Sequence, residues 1–310
     1  MDENQKIAVI GGGLMGHGIA LTFARAGHHV SVSDPMPEML ASLPQRVSDS
    51  LTLLGATEPE IASTLNRVER HDGIEAAVSD AAFVFEAAPE KLELKRSIFA
   101  EVEEHAPQDA ILASNTSVIQ ITKIMGHLKH RHRALGTHWW NPPHMIPLVE
   151  VVKTGWTESG VADAMVKLLA GAAKTPALVE KDVPGFIGNR LQHALWREAI
   201  SLVENGICSA KAVDDVVKAS FGRRLAVLGP LENADLVGLD LTQDIHHQVL
   251  FDLDARPGPS PLLQSHLDAG RAGMSVGKGF RDWDDGDIDA TKKRIAHHLL
   301  ALETLLEEQQ

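Results

Sequence analysis

Short runs of aliphatic and β-branched residues alternate with helix-like segments through the first half of the chain. The runs lie at residues 7–10, 29–33, 82–86, 110–113, 134–138, 148–152 and 177–180. Such alternation is typical of a parallel sheet that is covered by helices on both faces. We therefore predict an α/β domain with a Rossmann-type, doubly wound sheet.

The pattern changes at Pro184-Gly185, which interrupts the last predicted strand. From there to the chain end, apolar residues recur at helical spacing. Ser260-Pro261 marks one helix start, as an N-cap followed by proline at the first helical position. We therefore place a boundary at Val183, with residues 1–183 forming the α/β domain and residues 184–310 an all-helical C-terminal domain.

A glycine-rich turn follows the first predicted strand. The sequence from Gly11 to Gly16 fits the pattern G-x-G-x-x-G between a strand and a helix. Gly11 permits the tight turn, Gly13 lets the backbone approach a pyrophosphate, and Gly16 lets the helix pack against the strand. Leu14 and Met15 begin that helix, whose free N–H groups and positive dipole end face the phosphates.

Asp34 ends the second predicted strand, eighteen positions after Gly16. An acidic residue there lies near the adenosine ribose hydroxyls and repels the 2′-phosphate of NADP. No arginine follows it directly. We therefore predict NAD as the cofactor. Two alternatives are FAD, because flavoproteins use the same turn, and a glycine turn that holds no ligand.

A histidine and a glutamate lie on two successive predicted strands. His138 stands at the C-terminal end of its strand, where open α/β sheets bind ligands, and Glu150 lies within an apolar run. A buried carboxylate needs a partner, and an imidazole suits it. Oxidising a secondary alcohol needs a base for the hydroxyl proton, which a histidine oriented by a carboxylate provides near neutral pH. A core histidine without catalytic duty is the alternative.

The chain resembles the 3-hydroxyacyl-CoA dehydrogenase family over nearly its whole length. The matching motifs are the glycine turn, Glu86-Ala87-Ala88-Pro89-Glu90 with Leu94-Lys95, Ser114-Asn115-Thr116-Ser117, the segment from His138 to Glu150, Pro184-Gly185-Phe186-Ile187-Gly188-Asn189-Arg190 and Gly229-Pro230-Leu231-Glu232. The resemblance implies an NAD-dependent oxidoreductase, built as a Rossmann domain followed by a helical domain that forms a homodimer.

The resemblance also implies roles for single residues. It makes His138 the general base and Glu150 its orienting partner. Ser117 and Asn189 match positions that hydrogen-bond the reacting oxygen or hold the histidine. Three further residues match cofactor contacts on the nicotinamide side: Glu90, Lys95 and Asn115.

Some of these residues also have structural interpretations. Ser117 could cap a helix that starts at Val118, and Asn189 could be a helix-start residue. Trp139 and Trp140 favour packing under the site over a cation-binding cage. The remaining histidines show no metal-ligand spacing with nearby carboxylates, so we expect no metal site.

Two features favour a small free acid over a coenzyme A thioester as substrate. The stretch from Pro35 to Pro89, which in acyl-CoA members carries a helical hairpin supporting the coenzyme A, has no lysine and three arginines against nine acidic residues. That imbalance repels a ligand with several phosphate charges. The stretch from Phe221 to Pro230 resembles the L-gulonate 3-dehydrogenase and lambda-crystallin branch, which has a basic residue at the place of Arg224.

Arg224 could clamp a free carboxylate bidentately and orient the 3-hydroxyl toward His138. A surface or interface role is its alternative. We therefore predict oxidation of the 3-hydroxyl of a small 3-hydroxy acid to the 3-oxo compound. The first alternative is an L-3-hydroxyacyl-CoA dehydrogenase that acts on CoA thioesters. The second is a non-catalytic, crystallin-like protein that only binds NADH.

Charge and composition limit the kinds of binding partner and the cellular location that we expect. The net charge of −13, from 42 acidic and 29 basic residues, disfavours binding to nucleic acid. The single cysteine, Cys208, excludes an internal disulfide and fits a reducing compartment. The polar segment from Met1 to Lys6 leaves no room for a signal peptide, and no apolar run reaches membrane-spanning length. We expect a cytoplasmic protein without membrane or nucleic-acid partners.

Overall fold

A computed structural model describes residues 4–308 of the chain. The chain divides into two compact units. The first runs up to Arg190 and also takes the chain end from His298, and the second is Leu191–His297. The first three positions of the polar N-terminal segment lie outside the described residues.

An eight-stranded sheet forms the centre of the first unit. Its strands are β1 (Lys6–Ile10), β2 (His29–Ser33), β3 (Val68–His71), β4 (Phe83–Glu86), β5 (Ile111–Ser114), β6 (Ala134–Trp139), β7 (Leu148–Val152) and β8 (Thr175–Val179). Their order across the sheet is β3-β2-β1-β4-β5-β6-β7-β8. Every neighbouring pair is parallel except β6 and β7, which are antiparallel. The strand order reverses direction between β1 and β4, which is where such sheets bind ligands.

Helices cover both faces of this sheet. They are α1 (Leu14–Arg25), α2 (Pro37–Leu53), α3 (Glu58–Leu65), α4 (Ile74–Val78), α5 (Leu92–His105), α6 (Ile121–Met125) and α7 (Ser159–Gly171). Successive residues of β1 point to opposite faces. Ile7 and Val9 join the apolar cluster with α1, α2 and α7, whereas Ala8 and Ile10 join the cluster with α4, α5 and α6. The sheet is therefore buried on both faces, which confirms the predicted Rossmann-type class.

Six α-helices follow β8 in the part of the chain that the structure describes. They are α8 (Gly188–Glu204), α9 (Ala210–Ala219), α10 (Pro230–Val237), α11 (Leu239–Val249), α12 (Pro261–Asp268) and α13 (Asp285–Glu307). The Ser260 hydroxyl accepts the N–H groups of Leu262 and Leu263, which confirms the predicted cap of α12. None of the helices within residues 4–308 has both the length and the apolar character needed to cross a membrane.

The second unit, all of which the structure describes, buries no apolar side chain. Ser201 and Gly279 are its only buried residues. Large apolar side chains face solvent instead, including Leu231 and Phe251, each 80% exposed. Folded units are normally stabilised by a buried apolar core. This unit therefore carries an apolar surface in place of a core.

Two features of the sheet differ from the prediction. The sequence did not predict β3, because its central residues Glu69 and Arg70 are polar and exposed, and an edge strand needs no apolar pattern. The antiparallel direction of β7 was also not predicted. The connection at residues 140–147 is too short for a parallel crossover, which needs a dozen or more residues.

Candidate active site

The glycine turn joins β1 to α1. Gly11 has a φ of +103°, a left-handed conformation that glycine adopts without steric cost, and a Cβ there would lie 2.9 Å from the carbonyl of Ala87. A Cβ on Gly16 would lie 1.7 Å from the carbonyl oxygen of Gly11. A Cβ on Gly13 would meet nothing within 4 Å. The protein's own packing requires Gly11 and Gly16, whereas the space beside Gly13 is open to a ligand.

Leu14 and Met15 form the first turn of α1, with Leu14 65% exposed. The N–H groups of a first helical turn have no acceptor within the helix and carry the positive end of its dipole. The open space beside Gly13 lies at this helix start. The turn therefore fits a pyrophosphate, which is the central group of NAD.

Asp34 follows β2 and is buried beside the turn. Its Oδ2 accepts the N–H of Gly12 at 2.8 Å, and its Oδ1 accepts the N–H of Met36 at 2.9 Å. Each carboxylate oxygen keeps a further lone pair for a ligand hydroxyl. The position and charge of Asp34 therefore fit the diol of an adenosine ribose.

Arg46 of α2 also contacts the turn, a contact that could not be predicted from the sequence. Its guanidinium donates to the carbonyl of Gly13 at 3.2 Å and to that of Met39 at 2.8 Å. A third donor reaches the hydroxyl of Ser42. Because all three donors of the guanidinium bind groups of the protein, Arg46 stabilises the conformation of the glycine turn.

His138 and Glu150 lie directly opposite each other on β6 and β7. The imidazole Nδ1 is 2.7 Å from Oε2 of the carboxylate, and both side chains are buried. The other carboxylate oxygen, Oε1, accepts the N–H groups of Ile187 and Gly188 at 2.8 and 3.0 Å. Burial raises the pKa of Glu150, but the hydrogen bonds from His138, Gly188 and Ile187 bring that pKa below its ordinary value. The carboxylate is therefore ionised at neutral pH and fixes the imidazole.

Two aromatic rings flank the imidazole of His138. The ring centroid of Trp140 is 5.2 Å away and that of Phe186 is 5.6 Å away. The indole of Trp140 occupies the place of a side chain at Gly188, where a Cβ would lie 2.5 Å from a ring carbon. Trp139 points the other way, into the core, where it packs on Phe23. Both tryptophans therefore act as packing residues.

Ser117 and Asn189 are joined by a hydrogen bond. The side-chain N–H of Asn189 donates to the backbone carbonyl of Ser117 at 2.8 Å. The alternative interpretation of Ser117 as a helix cap is wrong, because the next helix, α6, begins at Ile121. Asn189 is the second residue of α8, so it is also the helix-start residue that the alternative described.

Lys95 and Asn115, matched by resemblance to cofactor contacts, bind groups of the protein. The fully buried ammonium of Lys95 lies 2.7 Å from Oε1 of Glu86 and 3.1 Å from the carbonyl of Ala88. Asn115 accepts the backbone N–H of Trp139 through its side-chain oxygen. These contacts hold the loops that surround the glycine turn and β6.

Glu86 is a site residue that sequence reasoning did not single out. Its carboxylate is completely buried at the end of β4 and accepts the hydroxyl of Ser114 at 2.6 Å and the N–H of Ala88 at 2.7 Å. With Lys95, the carboxylate joins β4, β5 and α5. The sequence signal that could have identified Glu86 is a charged residue at the end of an apolar strand.

A second cluster of titratable side chains, formed by His17, His144 and Lys174, packs between α1 and the 140–147 connection. His17 lies with its ring 5.8 Å from that of His144, and its Nδ1 is 3.1 Å from the carbonyl of Gly13. Burial, with the nearby charges of His17 and Lys174, lowers the pKa of His144 to about 4. The Lys174 ammonium donates to the carbonyls of Pro143 and Ile146. This group anchors the connection between the two strands that carry His138 and Glu150.

Arg224 belongs to the second unit. It follows a 3-10 turn at Phe221–Arg223 and is exposed to solvent. Within residues 4–308, no three His, Cys, Asp or Glu side chains are grouped to hold a metal ion.

The glycine turn with the buried carboxylate of Asp34, and the buried pair of His138 and Glu150 on the same sheet, fit an NAD-dependent oxidoreductase that acts on CH–OH groups. Residues 6–183 match the family model of the 3-hydroxyacyl-CoA dehydrogenase NAD binding domain, and residues 185–283 match that of the C-terminal domain. The chain belongs to the 3-hydroxyacyl-CoA dehydrogenase family.

The names of individual relatives indicate different substrates. A 5-formyl-3-hydroxy-2-methylpyridine 4-carboxylate 5-dehydrogenase of Mesorhizobium japonicum is 34% identical over 98% of both chains. A probable 3-hydroxybutyryl-CoA dehydrogenase of Bacillus subtilis is 34% identical over 91% of this chain and 99% of its own. A crystal structure of a 5-dehydrogenase for the same pyridine carboxylic acid, described as an NAD⁺-dependent dismutase, superposes with a TM-score of 0.91 at 34% identity, covering 99% of each chain.

Proposed function

We propose that this protein oxidises the 3-hydroxyl of a small, free 3-hydroxy acid to the 3-oxo compound. The contact between His138 Nδ1 and Glu150 Oε2 carries the proposal, because it leaves Nε2 of the imidazole as the basic nitrogen. We assign His138 and Glu150 as the base and its orienting partner on this geometry. We also propose that the domain boundary lies at Val183, which the meeting of the two family matches at Pro184 supports.

Bound NAD⁺ supplies the acceptor for the hydride that leaves C3 of the substrate. Nε2 of His138 takes the hydroxyl proton as the carbonyl forms, and Glu150 stabilises the resulting imidazolium. Ser117 and Asn189 hold the reacting oxygen. The hydrogen bond from the Asn189 side chain to the Ser117 backbone carbonyl brings the two residues together and supports this assignment.

We assign the cofactor to the glycine turn and Asp34. The turn from Gly11 to Gly16, including Leu14 and Met15, would hold the pyrophosphate, and Asp34 would bind the adenosine ribose. Two observations support this: the open space beside Gly13 and the fixed carboxylate of Asp34. For Glu90, Lys95 and Asn115 we propose an indirect part on the nicotinamide side, because each binds protein groups.

Charge supports a free acid as the substrate. The three arginines between Pro35 and Pro89 all donate to backbone carbonyls of the protein: Arg46 to Gly13 and Met39, Arg67 to Ser63, and Arg70 to Leu40. With no lysine there, the stretch offers few cations to the phosphates of coenzyme A. We propose Arg224 as the group that clamps the substrate carboxylate. The pyridine carboxylate named for the Mesorhizobium relative is in keeping with a free acid.

A substrate screen by NADH absorbance tests the proposal. Free 3-hydroxy acids are compared with their matched CoA thioesters at equal concentration. We expect turnover with a free acid and a lower kcat/KM with its thioester. Higher kcat/KM with thioesters would establish the first alternative, which the Bacillus relative's name favours. NADH binding without turnover on any compound would establish the crystallin-like alternative.

Arg224→Met separates the carboxylate clamp from a surface role. A clamp predicts that the variant loses kcat/KM on the free acid and keeps it on the thioester. An equal loss on both substrates would contradict the clamp. Arg223→Met is the control, because Arg223 is the exposed neighbour in the same turn.

We also propose that a second copy of the chain covers the apolar surface of the helical unit. Homodimers with twofold symmetry are the commonest oligomers, and obligate interfaces resemble a divided core. The unit's lack of any buried apolar side chain supports this. Light scattering should give twice the chain mass of 33.5 kDa. A fully active monomer would contradict the dimer.

We propose a cytoplasmic location as well. The single cysteine, Cys208, supports it, because a protein without disulfides suits a reducing compartment. Fractionation of cells that express a tagged chain tests the location. Recovery in the secreted or periplasmic fraction would overturn it.

A further inference from the structure

One oxygen of the Glu90 carboxylate gathers three donors from a single loop. Glu90 Oε1 accepts the hydroxyl of Thr116 at 2.6 Å and the backbone N–H groups of Ser117 and Val118 at 3.0 and 3.1 Å. These three residues follow β5 and precede α6. The oxygen therefore organises the backbone on which the Ser117 side chain stands.

The charge of Glu90 is not needed to neutralise its cationic neighbour. The Lys95 ammonium lies 3.4 Å from Oε2 of Glu90, but only 2.7 Å from the buried carboxylate of Glu86. Because Lys95 already has Glu86 as its ion-pair partner, a neutral group at position 90 leaves no unpaired buried charge. The reach of the Glu90 side chain, more than its charge, serves the loop.

The loop that Glu90 holds is also hydrogen-bonded to Asn189. The backbone carbonyl of Ser117 accepts the side-chain N–H of Asn189. On the other side, Glu150 accepts the N–H groups of Ile187 and Gly188, immediately before Asn189. Two carboxylates thus each hold a backbone segment that presents one of the two oxygen-binding side chains.

We propose that Glu90 is a positioning residue for the reaction, which holds the backbone of Ser117 so that Ser117 and Asn189 meet the reacting oxygen. This inference rests on the proposed function. It differs from the role that the family resemblance gave to Glu90, because the contact that matters is made to the protein's own loop. Burial raises the pKa of Glu90, yet the hydrogen bond from Thr116, the charge of Lys95 and the two amides bring it below its ordinary value.

Two conservative variants separate reach from charge. Glu90→Asp keeps the negative charge but withdraws the acceptor by one methylene, so it no longer reaches the amides of Ser117 and Val118. Glu90→Gln loses the charge but keeps an oxygen at the same reach. Glu93→Gln is the control, because Glu93 lies three positions further on, in the first turn of α5, with its side chain 81% exposed.

Hydrogen exchange of the cofactor-free protein gives the first readout. We expect faster exchange of the Ser117 and Val118 amides in Glu90→Asp and unchanged exchange in Glu90→Gln and the control. This measurement needs neither substrate nor cofactor. Its outcome is therefore independent of whether the proposed substrate class is right.

Kinetics and NADH titration give the second readout. Glu90→Asp should lower kcat by about ten- to a hundredfold, since a misplacement of the order of 1 Å costs that much, while the Kd for NADH stays close to wild type. Glu90→Gln should retain most of the activity. Combining Glu90→Asp with Ser117→Ala should lower kcat little further than the more damaging single change.

The proposal is overturned if Glu90→Gln is more damaging than Glu90→Asp. If Glu90→Gln loses activity and raises the Kd for NADH while Glu90→Asp keeps both, the charge acts on the cofactor and not on the loop. Unchanged amide exchange in Glu90→Asp would overturn it equally. Multiplicative losses in the double variant would show that Glu90 and Ser117 act independently.

Discussion

Glu150 faces His138 across the antiparallel ladder of β6 and β7, and its carboxylate lies 2.7 Å from the imidazole Nδ1. On the same face of the ladder, the carboxylate also receives two amides from the start of α8. The register of two strands and one helix start therefore determine where the imidazole points. Five experiments test this pair, the histidines packed against the connection between the two strands, and the glycine turn.

Replacing the base is the most direct of them. His138→Gln should lower kcat by about 10²- to 10⁴-fold, because it removes proton transfer in the transition state, and should leave the Kd for NADH unchanged. Stopped-flow kinetics and NADH fluorescence measure the two quantities. His127→Gln, at an exposed position, is the control. A variant that kept more than a few per cent of kcat would show that His138 is not the base.

Glu150→Gln tests the orienting partner. The amide keeps an oxygen for the Ile187 and Gly188 N–H groups, but its N–H₂ group faces Nδ1 and favours the tautomer with the proton on Nε2. Such a reversal in a comparable triad costs about 10⁴ in kcat, so a loss of that order is expected. If kcat fell less than tenfold, the tautomer would not depend on Glu150.

The lowered pKa of Glu150 also predicts how the free energy of unfolding changes at acid pH. The pKa of Glu150 in the folded protein lies below its ordinary value of 4.5. Its contribution to the free energy of unfolding is therefore full above pH 4.5 and is lost as pH falls through the lowered pKa. Urea titrations between pH 6 and pH 3 should show a weaker pH dependence for Glu150→Gln than for wild type. Parallel curves would contradict the lowered pKa.

His144 adds a pH dependence at a higher range. Its pKa is about 4 in the folded protein against an ordinary 6.5, so between these values the unfolded chain binds a proton that the folded chain does not. The free energy of unfolding should fall as pH drops from 6.5 to about 4. His144→Gln should reduce that slope, and the remainder belongs in part to His17, whose pKa burial also lowers. An unchanged slope would mean that His144 protonates freely in the folded state.

Two glycine variants separate cofactor fit from folding. Gly13→Ala should leave the melting temperature of the cofactor-free protein unchanged, because its Cβ meets nothing, yet weaken NADH binding by occupying the approach to the pyrophosphate. Gly16→Ala should lower the melting temperature, because its Cβ would overlap the Gly11 carbonyl. Undiminished NADH affinity in Gly13→Ala would place the pyrophosphate elsewhere.

The sheet and the catalytic pair could be predicted from the sequence because each has a local signal. Seven of the eight strands carry apolar runs, and the glycine turn marks the first crossover. The strand β3 has no such signal, because Glu69 and Arg70 lie at the sheet edge. The antiparallel pairing that joins His138 to Glu150 was also not predicted, although their partnership was.

The partners of the supporting residues could not be predicted in the same way. Only the family resemblance pointed to Glu90, Lys95 and Asn115, because side-chain hydrogen bonds to distant backbone leave no periodic pattern in the sequence. Glu90 binds a loop 26 to 28 positions away. Arg46 reaches the glycine turn across 33 positions. Such contacts depend on which elements the fold brings together, which composition and spacing do not specify.

The antiparallel ladder of β6 and β7 makes the His138 and Glu150 pair depend on strand register. Residues 140–147 connect the two strands, but the pairing of His138 with Glu150 depends on the ladder register and not on the length of that connection. A slip of one residue would turn Glu150 to the opposite face, so the register is strongly constrained. Any change within residues 140–147 that preserves this register therefore leaves His138 directly opposite Glu150.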